Sequence, residues 1–69
     1  MNEEYVVALY VRYLDIELYL DRDGNADMKI HTFNYFDAHD LMIKGQQRDI
    51  EKGVSHLYSY KIYKLEEVK

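Results

Sequence analysis

The sequence predicts a small α+β domain in which an antiparallel sheet of three to four strands packs against one helix, in the order β-β(-β)-α-β. Apolar and polar residues alternate strictly from Leu14 to Asp21, which is the two-residue period of a half-buried strand. A turn-forming Asp-Gly-Asn sequence follows at positions 23–25. An amphipathic helical pattern then covers residues 34–52, and residues 54–68 return to strand-like alternation.

The length of the chain predicts one domain spanning residues 1–69. Domains this small bury a modest core and are commonly reinforced by disulfide bonds, a metal ion or a partner chain. The sequence has no cysteine, and its three dispersed histidines do not supply the usual zinc ligand set. We therefore expect a homodimer that uses no cofactor and no metal.

The N-terminus argues against secretion and against membrane insertion. Its first residues, Met-Asn-Glu-Glu, are acidic, whereas a signal peptide begins basic and continues into an apolar run. No stretch approaches the ~20 apolar residues of a membrane span, and the absence of cysteine suits a reducing compartment. We expect a cytoplasmic protein that makes no membrane contact.

Residues 5–13 allow two interpretations. Their odd positions are apolar, and after Leu14 the apolar set moves to even positions without a glycine or proline between the two phases. One interpretation is a long strand with a bulge near residues 12–14, which shifts the phase by one residue. The other is a helix over residues 3–13 that is capped by Asn2. The β-branched content favours the strand.

The register of the following hairpin can also be predicted. A two-residue turn at Asp23-Gly24 would place apolar residues opposite charged ones. A three-residue loop over residues 23–25 instead pairs Leu20 with Met28 and Leu18 with Ile30, which keeps one face apolar. We therefore expect the second register, with Asn25 in the left-handed conformation.

The helix and the last strand have their own signals. Asn34 or Asp37 can cap the helix, and Gly53 can end it. Gly45 weakens the middle of the helix by about 1 kcal/mol relative to alanine, so it marks either a break or a close approach to the sheet. The last strand is apolar on both sides, which predicts a central strand or one covered by a second chain.

Catalytic and metal-binding motifs are weak. Residues 21–27 place oxygen-bearing side chains at alternate positions, as calcium loops begin, but Ala26 and Thr32 replace the required glycine and closing glutamate. His31, His39 and His56 fit no metal-ligand spacing, and no nucleophile–base pair can be named. We therefore expect a protein that is not an enzyme.

The C-terminal tyrosines suggest one candidate binding patch. The chain has eight tyrosines and no tryptophan. Aromatic rings interleaved with basic residues can stack and hold single-stranded nucleic acid, although packing in the core or in a dimer explains the rings equally simply and is the interpretation we favour. The residues of this aromatic/basic patch are Tyr58, Tyr60, Lys61, Tyr63 and Lys64.

A row of acidic residues is the sharpest functional signal, in a chain of net charge −4. On a strand, residues two apart are separated by ~6.6 Å, which approximates the spacing of successive phosphates along one nucleic-acid strand. The competing interpretation is a solvated sheet face whose charges prevent aggregation, and Lys29 and His31 opposite the row dilute it. The row consists of Asp15, Glu17, Asp21, Asp23 and Asp27.

A short, acidic, cysteine-free and aromatic-rich chain with this row resembles, in general character, the small DNA-mimic inhibitors that phages encode against host proteins. The resemblance rests on no motif and indicates no single family. It implies an inhibitor that acts as a dimer in the host cytoplasm on a protein with a basic surface, such as a DNA-binding protein. It also implies that the chain itself does not bind nucleic acid, in contrast to the alternative function suggested by the C-terminal patch.

Overall fold

The computed structural model describes residues 3–65, and within them it has an α+β fold. The four strands form one antiparallel sheet in the order β3-β2-β1-β4, and the helix packs on one face of that sheet. This confirms the predicted class and element order. The elements are β1 (Glu4–Val11), β2 (Ile16–Leu20), β3 (Ala26–Asp27), α1 (Tyr35–Glu51), a short 3-10 helix (Ser55–Leu57) and β4 (Tyr58–Leu65).

Strand β1 lies at the centre of the sheet. Of the two interpretations of residues 5–13, the strand is therefore confirmed and the helix is wrong. It pairs with β2 on one side and with β4 on the other. The side chains of Val7, Leu9 and Val11 point into the core shared with the helix. Val6 and Ala8 are buried on the opposite face of the sheet. A strand buried on both faces explains why this segment is rich in valine.

The apolar phase changes after β1 because the chain makes a tight turn there. The predicted bulge in a continuous strand is therefore wrong. The N–H of Leu14 donates to the carbonyl oxygen of Val11, and Val11 pairs with Ile16 across the hairpin. Asp15 closes the turn in the left-handed conformation, with φ of 54°. Aspartate tolerates that conformation better than most residues, so no glycine is needed here.

The second hairpin also has a different register from the one predicted. Asp21 pairs with Asn25 through the backbone, so the loop is residues 22–24, and Gly24 takes the left-handed position with φ of 83°. The carboxylate of Asp21 accepts the N–H groups of Asp23 and Asn25, each at 2.9 Å. Leu20 therefore pairs with Ala26 rather than with Met28. Met28 and Ile30 lie outside the sheet and are exposed.

The helix begins and ends close to the predicted residues. The side-chain oxygen of Asn34 accepts the N–H of Asp37 at 2.8 Å, which makes Asn34 the N-cap. Gly53 follows the helix with φ of 72°. Gly45 is buried within an uninterrupted helix and faces the ring of Tyr60, so it marks a close approach to the sheet.

The helix lies over β1 and β4, where the core is concentrated. Tyr58, Tyr60 and Ile62 of β4 pack against this core, but β4 itself is an edge strand and not a central one. Of the two predicted explanations for its apolar residues, the central position is therefore wrong. In the part of the chain that the structure describes, no helix is long and apolar enough to cross a membrane.

Candidate functional site

The negative charge of the chain is concentrated in residues 15–27. This segment contains five carboxylates and one guanidinium, and the remainder of the chain has equal numbers of acidic and basic residues. The segment includes β2, β3 and the turns before β2 and between the two strands, so the charge lies at one edge of the sheet. We call Asp15, Glu17, Asp21, Asp23 and Asp27 the acidic edge.

Two carboxylates of the acidic edge are held by tyrosines. The hydroxyl of Tyr10 donates to Asp15, and the hydroxyl of Tyr63 donates to Glu17 at 3.0 Å. These hydrogen bonds to a carboxylate raise the pKa of both Tyr10 and Tyr63, with burial adding to the effect. The phenols thus remain hydrogen-bond donors at physiological pH, and the two carboxylates are held in defined positions.

The other carboxylates of the acidic edge have different surroundings. Asp21 is occupied by the backbone N–H groups of the hairpin loop. Asp27 lies 2.9 Å from the imidazole of His31, and hydrogen bonds from His31 and from the N–H of Lys29 lower its pKa. Among the residues the structure describes, Asp23 alone of the acidic edge has a side chain without a hydrogen bond.

The acidic edge is therefore a group of carboxylates around one hairpin rather than a straight row. Glu17 and Asp27 lie on the same face of the sheet, because Tyr19, which follows Glu17 by two residues, pairs with Asp27. Asp21 and Asp23 belong to the loop at the end of the hairpin. The arginine of the segment, Arg22, lines a groove together with Asp37, Asp40 and Lys44 of the helix.

The face of the sheet opposite the helix, which we call the open face, has a layer of tyrosines. Tyr63 pairs with Val6, and Tyr19 pairs with Ala8, across neighbouring strands. Val6 and Ala8 are only 3% and 1% exposed although α1 packs on the other face of the sheet. The tyrosines and their charged neighbours therefore shield the centre of this face. Sequence reasoning did not group these residues, because the grouping depends on the register of β1 with both neighbours.

The structure divides the predicted aromatic/basic patch between two faces. Tyr58 and Tyr60 pack toward the helix. Lys61 and Tyr63 are on the open face, with the ammonium of Lys61 at 5.0 Å from the centre of the Tyr63 ring. Lys64 forms an ion pair with Glu3 at 3.1 Å. The three tyrosines of the patch therefore do not form one stacking surface.

Tyr60 makes a polar contact inside the helix–sheet interface. Its hydroxyl donates to Oδ2 of Asp49 at 2.6 Å, and Asp49 is only 5% exposed. Arg48 lies 3.9 Å from the same carboxylate. Burial and the hydrogen bond to Asp49 raise the pKa of Tyr60 to about 12. This contact fixes the last turns of α1 on β4.

We expect stability to fall in alkaline solution through Tyr60. A phenol whose pKa is higher in the folded state stabilises the fold below its unfolded value of ~10 and loses that contribution as pH rises toward about 12. Urea midpoints measured at several pH values between these limits should decline for the wild type. Tyr60→Phe should be less stable at neutral pH and should decline less steeply. Equal slopes would contradict the assignment.

The histidines do not come together. His31 contacts Asp27, His39 stacks on the ring of Tyr35, and His56 lies in the short 3-10 helix. Within residues 3–65, no three histidine, aspartate or glutamate side chains are arranged to hold a metal ion. Comparison with protein-family models, with characterised proteins and with solved structures finds no match to this chain. Function is therefore inferred from the geometry.

Proposed function

We propose that this protein is a non-enzymatic binding module that occupies a basic, nucleic-acid-binding surface of a partner protein through the acidic edge, and so acts as a DNA mimic. One observation carries the proposal: residues 15–27 account for the entire net charge of −4. A field concentrated on one edge steers a basic partner to that edge, and salt weakens it. A partner that binds DNA would present matching lysines and arginines.

The fixed positions of the carboxylates support this function. Asp15 and Glu17 are each held by a tyrosine hydroxyl, and Asp27 is held by His31 and a backbone N–H. A carboxylate that is already oriented loses less conformational entropy when an arginine binds it. A phenol hydroxyl is a neutral donor, so Tyr10 and Tyr63 orient these carboxylates without adding a positive charge to the acidic edge.

The alternative, binding of single-stranded nucleic acid through the aromatic/basic patch, has weaker support. Tyr58 and Tyr60 point toward the helix and are half-buried. Lys61 and Tyr63 share the open face with Glu17, whose carboxylate accepts the Tyr63 hydroxyl. A phosphate approaching Tyr63 would be repelled by that charge. We therefore expect no gel shift of single-stranded DNA at low salt.

A charge-matched pair of variants tests the proposal. The test variant carries Asp15→Asn, Glu17→Gln, Asp21→Asn and Asp23→Asn, which keep the shape and the acceptor oxygen of each side chain. The control carries Glu3→Gln, Glu4→Gln, Asp40→Asn and Glu51→Gln, which lie outside residues 15–27 and are exposed. Both variants have the same net charge, so only the position of the lost carboxylates differs.

The measurement is capture of partners from a cell lysate on the immobilised protein, at low and high salt, with and without excess duplex DNA. We expect the wild type and the control to retain a basic nucleic-acid-binding protein that DNA displaces. The test variant should retain at least tenfold less of it. Equal capture by the test variant, with its fold verified by circular dichroism, would refute the mimic. A partner indifferent to salt and DNA would refute it as well.

A further inference from the structure

The outer edge of β4 is long, and no strand within residues 3–65 pairs with it. β4 has eight residues and pairs only with β1 among residues 3–65, whereas the strand at the other edge of the sheet, β3, has two. Natural proteins protect long edges with proline, bulges or outward-pointing lysines. β4 has no proline or glycine, Lys61 lies over its own strand's Tyr63, and Lys64 is paired with Glu3.

The helix flank beside this edge carries large apolar side chains and no aspartate, glutamate, lysine or arginine. Residues at intervals of seven along α1 are Phe36, Ile43 and Ile50, with exposures of 84% for Phe36 and 65% for Ile50. His39 and Gln46 lie between them, which completes the spacing of a coiled-coil seam. Gln46 and Ile50 line the same groove as Arg12 and β4 residues 58–60, so the flank adjoins the β4 edge. Arg12 donates to the hydroxyl oxygen of Ser59.

The middle of β4 and the middle of the helix flank lie at the same height along the strand direction. The ring of Tyr60 lies against Gly45, and its hydroxyl reaches Asp49. Ile62 is two residues further along β4, an advance of ~6.6 Å, which corresponds to about four residues of a helix running the other way. That places Ile62 close to the level of Ile43, the middle of the helix flank.

We propose that two copies of the chain dimerise through this surface, with β4 pairing antiparallel to β4 of the second copy about a two-fold axis at Ile62. The two helices then run antiparallel and meet around Ile43. A two-fold axis brings the same patch of both copies into contact. The helix flank suits such a contact, because none of its positions is an aspartate, glutamate, lysine or arginine that would face its own copy. The result is a continuous eight-stranded sheet built from the four strands of each copy.

Charge selects the register. A two-fold axis at residue 61 pairs residues 58–64 of β4 with the second copy, and an axis at residue 62 pairs residues 59–65. An axis at any other residue pairs fewer of the eight residues of β4. The axis at Lys61 places that lysine opposite itself, which is destabilising. The axis at Ile62 places Lys61 opposite Tyr63 and Tyr60 opposite Lys64, so no two like charges are directly opposite each other.

The same arrangement keeps the acidic edges apart. β1 and β4 of each copy separate the two acidic edges, which lie at opposite ends of the joined sheet. Pairing through the β2–β3 side would instead bring two segments of like charge together. A standard interface buries about 800 Å² of accessible surface on each partner. Each copy of this chain would supply that area with about one-seventh of its accessible surface of 5409 Å².

Sedimentation equilibrium of the full chain tests the helix flank. We expect a dimer for the wild type, and a dissociation constant raised at least 100-fold by Ile43→Glu with Ile50→Glu. The matched control is Met28→Glu with Ile30→Glu, which adds the same charge at exposed apolar positions away from β4. The Ile43→Glu/Ile50→Glu variant leaves residues 15–27 unchanged, so it should still capture the partner of the acidic edge, and loss of dimerisation can be told apart from loss of partner binding. A monomeric wild type, or equal weakening by both variants, would overturn the proposal.

A single introduced cysteine tests the strand register. The chain has no cysteine of its own, so Ile62→Cys gives one thiol that the proposed axis places opposite its copy. Directly opposed residues have Cα atoms ~4.5–5.5 Å apart, within reach of a disulfide. Ile62→Cys should form a cross-linked dimer on mild oxidation, and Ser59→Cys, which faces Leu65 of the second copy, should form at least tenfold less. The absence of Ile62→Cys cross-linking, or equal cross-linking at both sites, would overturn the register.

Discussion

Replacing Leu20 by alanine is expected to remove about 3 kcal/mol of the free energy of unfolding. Leu20 is fully buried and, with Val7, is one of the largest side chains without accessible surface. It ends β2 opposite Ala26 and packs in the cluster that joins the sheet to Ala38 of the helix. Alanine would leave a cavity between two layers that cannot close without moving the strand or the helix.

The size of the domain makes this loss severe. Folded proteins have roughly 0.05–0.15 kcal/mol of stability per residue, so a chain of 69 residues has about 3–10 kcal/mol in total. Leu20→Ala should therefore be partly unfolded near physiological temperature. Urea unfolding followed by circular dichroism, at one protein concentration because association adds stability, measures the loss.

Leu14 offers the matched control, because the same substitution there removes the same atoms from a side chain that is 55% exposed. Leu14→Ala should change the unfolding free energy by less than about 1 kcal/mol. If Leu20→Ala and Leu14→Ala cost the same, the core does not depend on Leu20 as the structure indicates.

Local chemistry explains which parts of the fold could be predicted from the sequence. The Asn34 cap, the exit at Gly53 and the two-residue period of the strands each depend on neighbouring residues only. The turn after β1 carried no such signal, because Asp15 replaces the usual glycine in the left-handed position. The second hairpin was placed one residue late, because Gly24 and not Asn25 takes that conformation.

The candidate site could be predicted in its residues but not in its geometry. The composition of residues 15–27 identifies the acidic edge. The side chains that hold its carboxylates either are distant in the sequence or are positioned by a turn. Tyr63 is 46 residues from Glu17 and reaches it only through the register across β1. The split of the C-terminal patch was within reach of the sequence, because positions 58 and 60 share one face of a strand and position 63 lies on the other.

Gly45 is expected to tolerate no side chain larger than hydrogen without loss of stability. A Cβ at this position would lie 2.9 Å from Cε2 and from the hydroxyl oxygen of Tyr60, and 3.0 Å from Cζ. The Tyr60 ring cannot move aside freely, because its hydroxyl is bound to the buried Asp49. Alanine gains about 1 kcal/mol of helix propensity over glycine, but overpacking costs about 1–3 kcal/mol.

We expect Gly45→Ala to be destabilising by about 1 kcal/mol and Gly45→Val by about 3 kcal/mol, because its two methyl groups press into the same ring. A double-mutant cycle with Tyr60→Leu separates the contact from helix propensity. Leucine lacks the ring atoms nearest to Gly45, so Gly45→Ala should become stabilising by up to about 1 kcal/mol in that background. This reversal of sign, read from urea midpoints, would show that close packing of α1 on β4 requires the glycine. If alanine stabilises both backgrounds equally, the helix does not lie as close to Tyr60 as the structure places it.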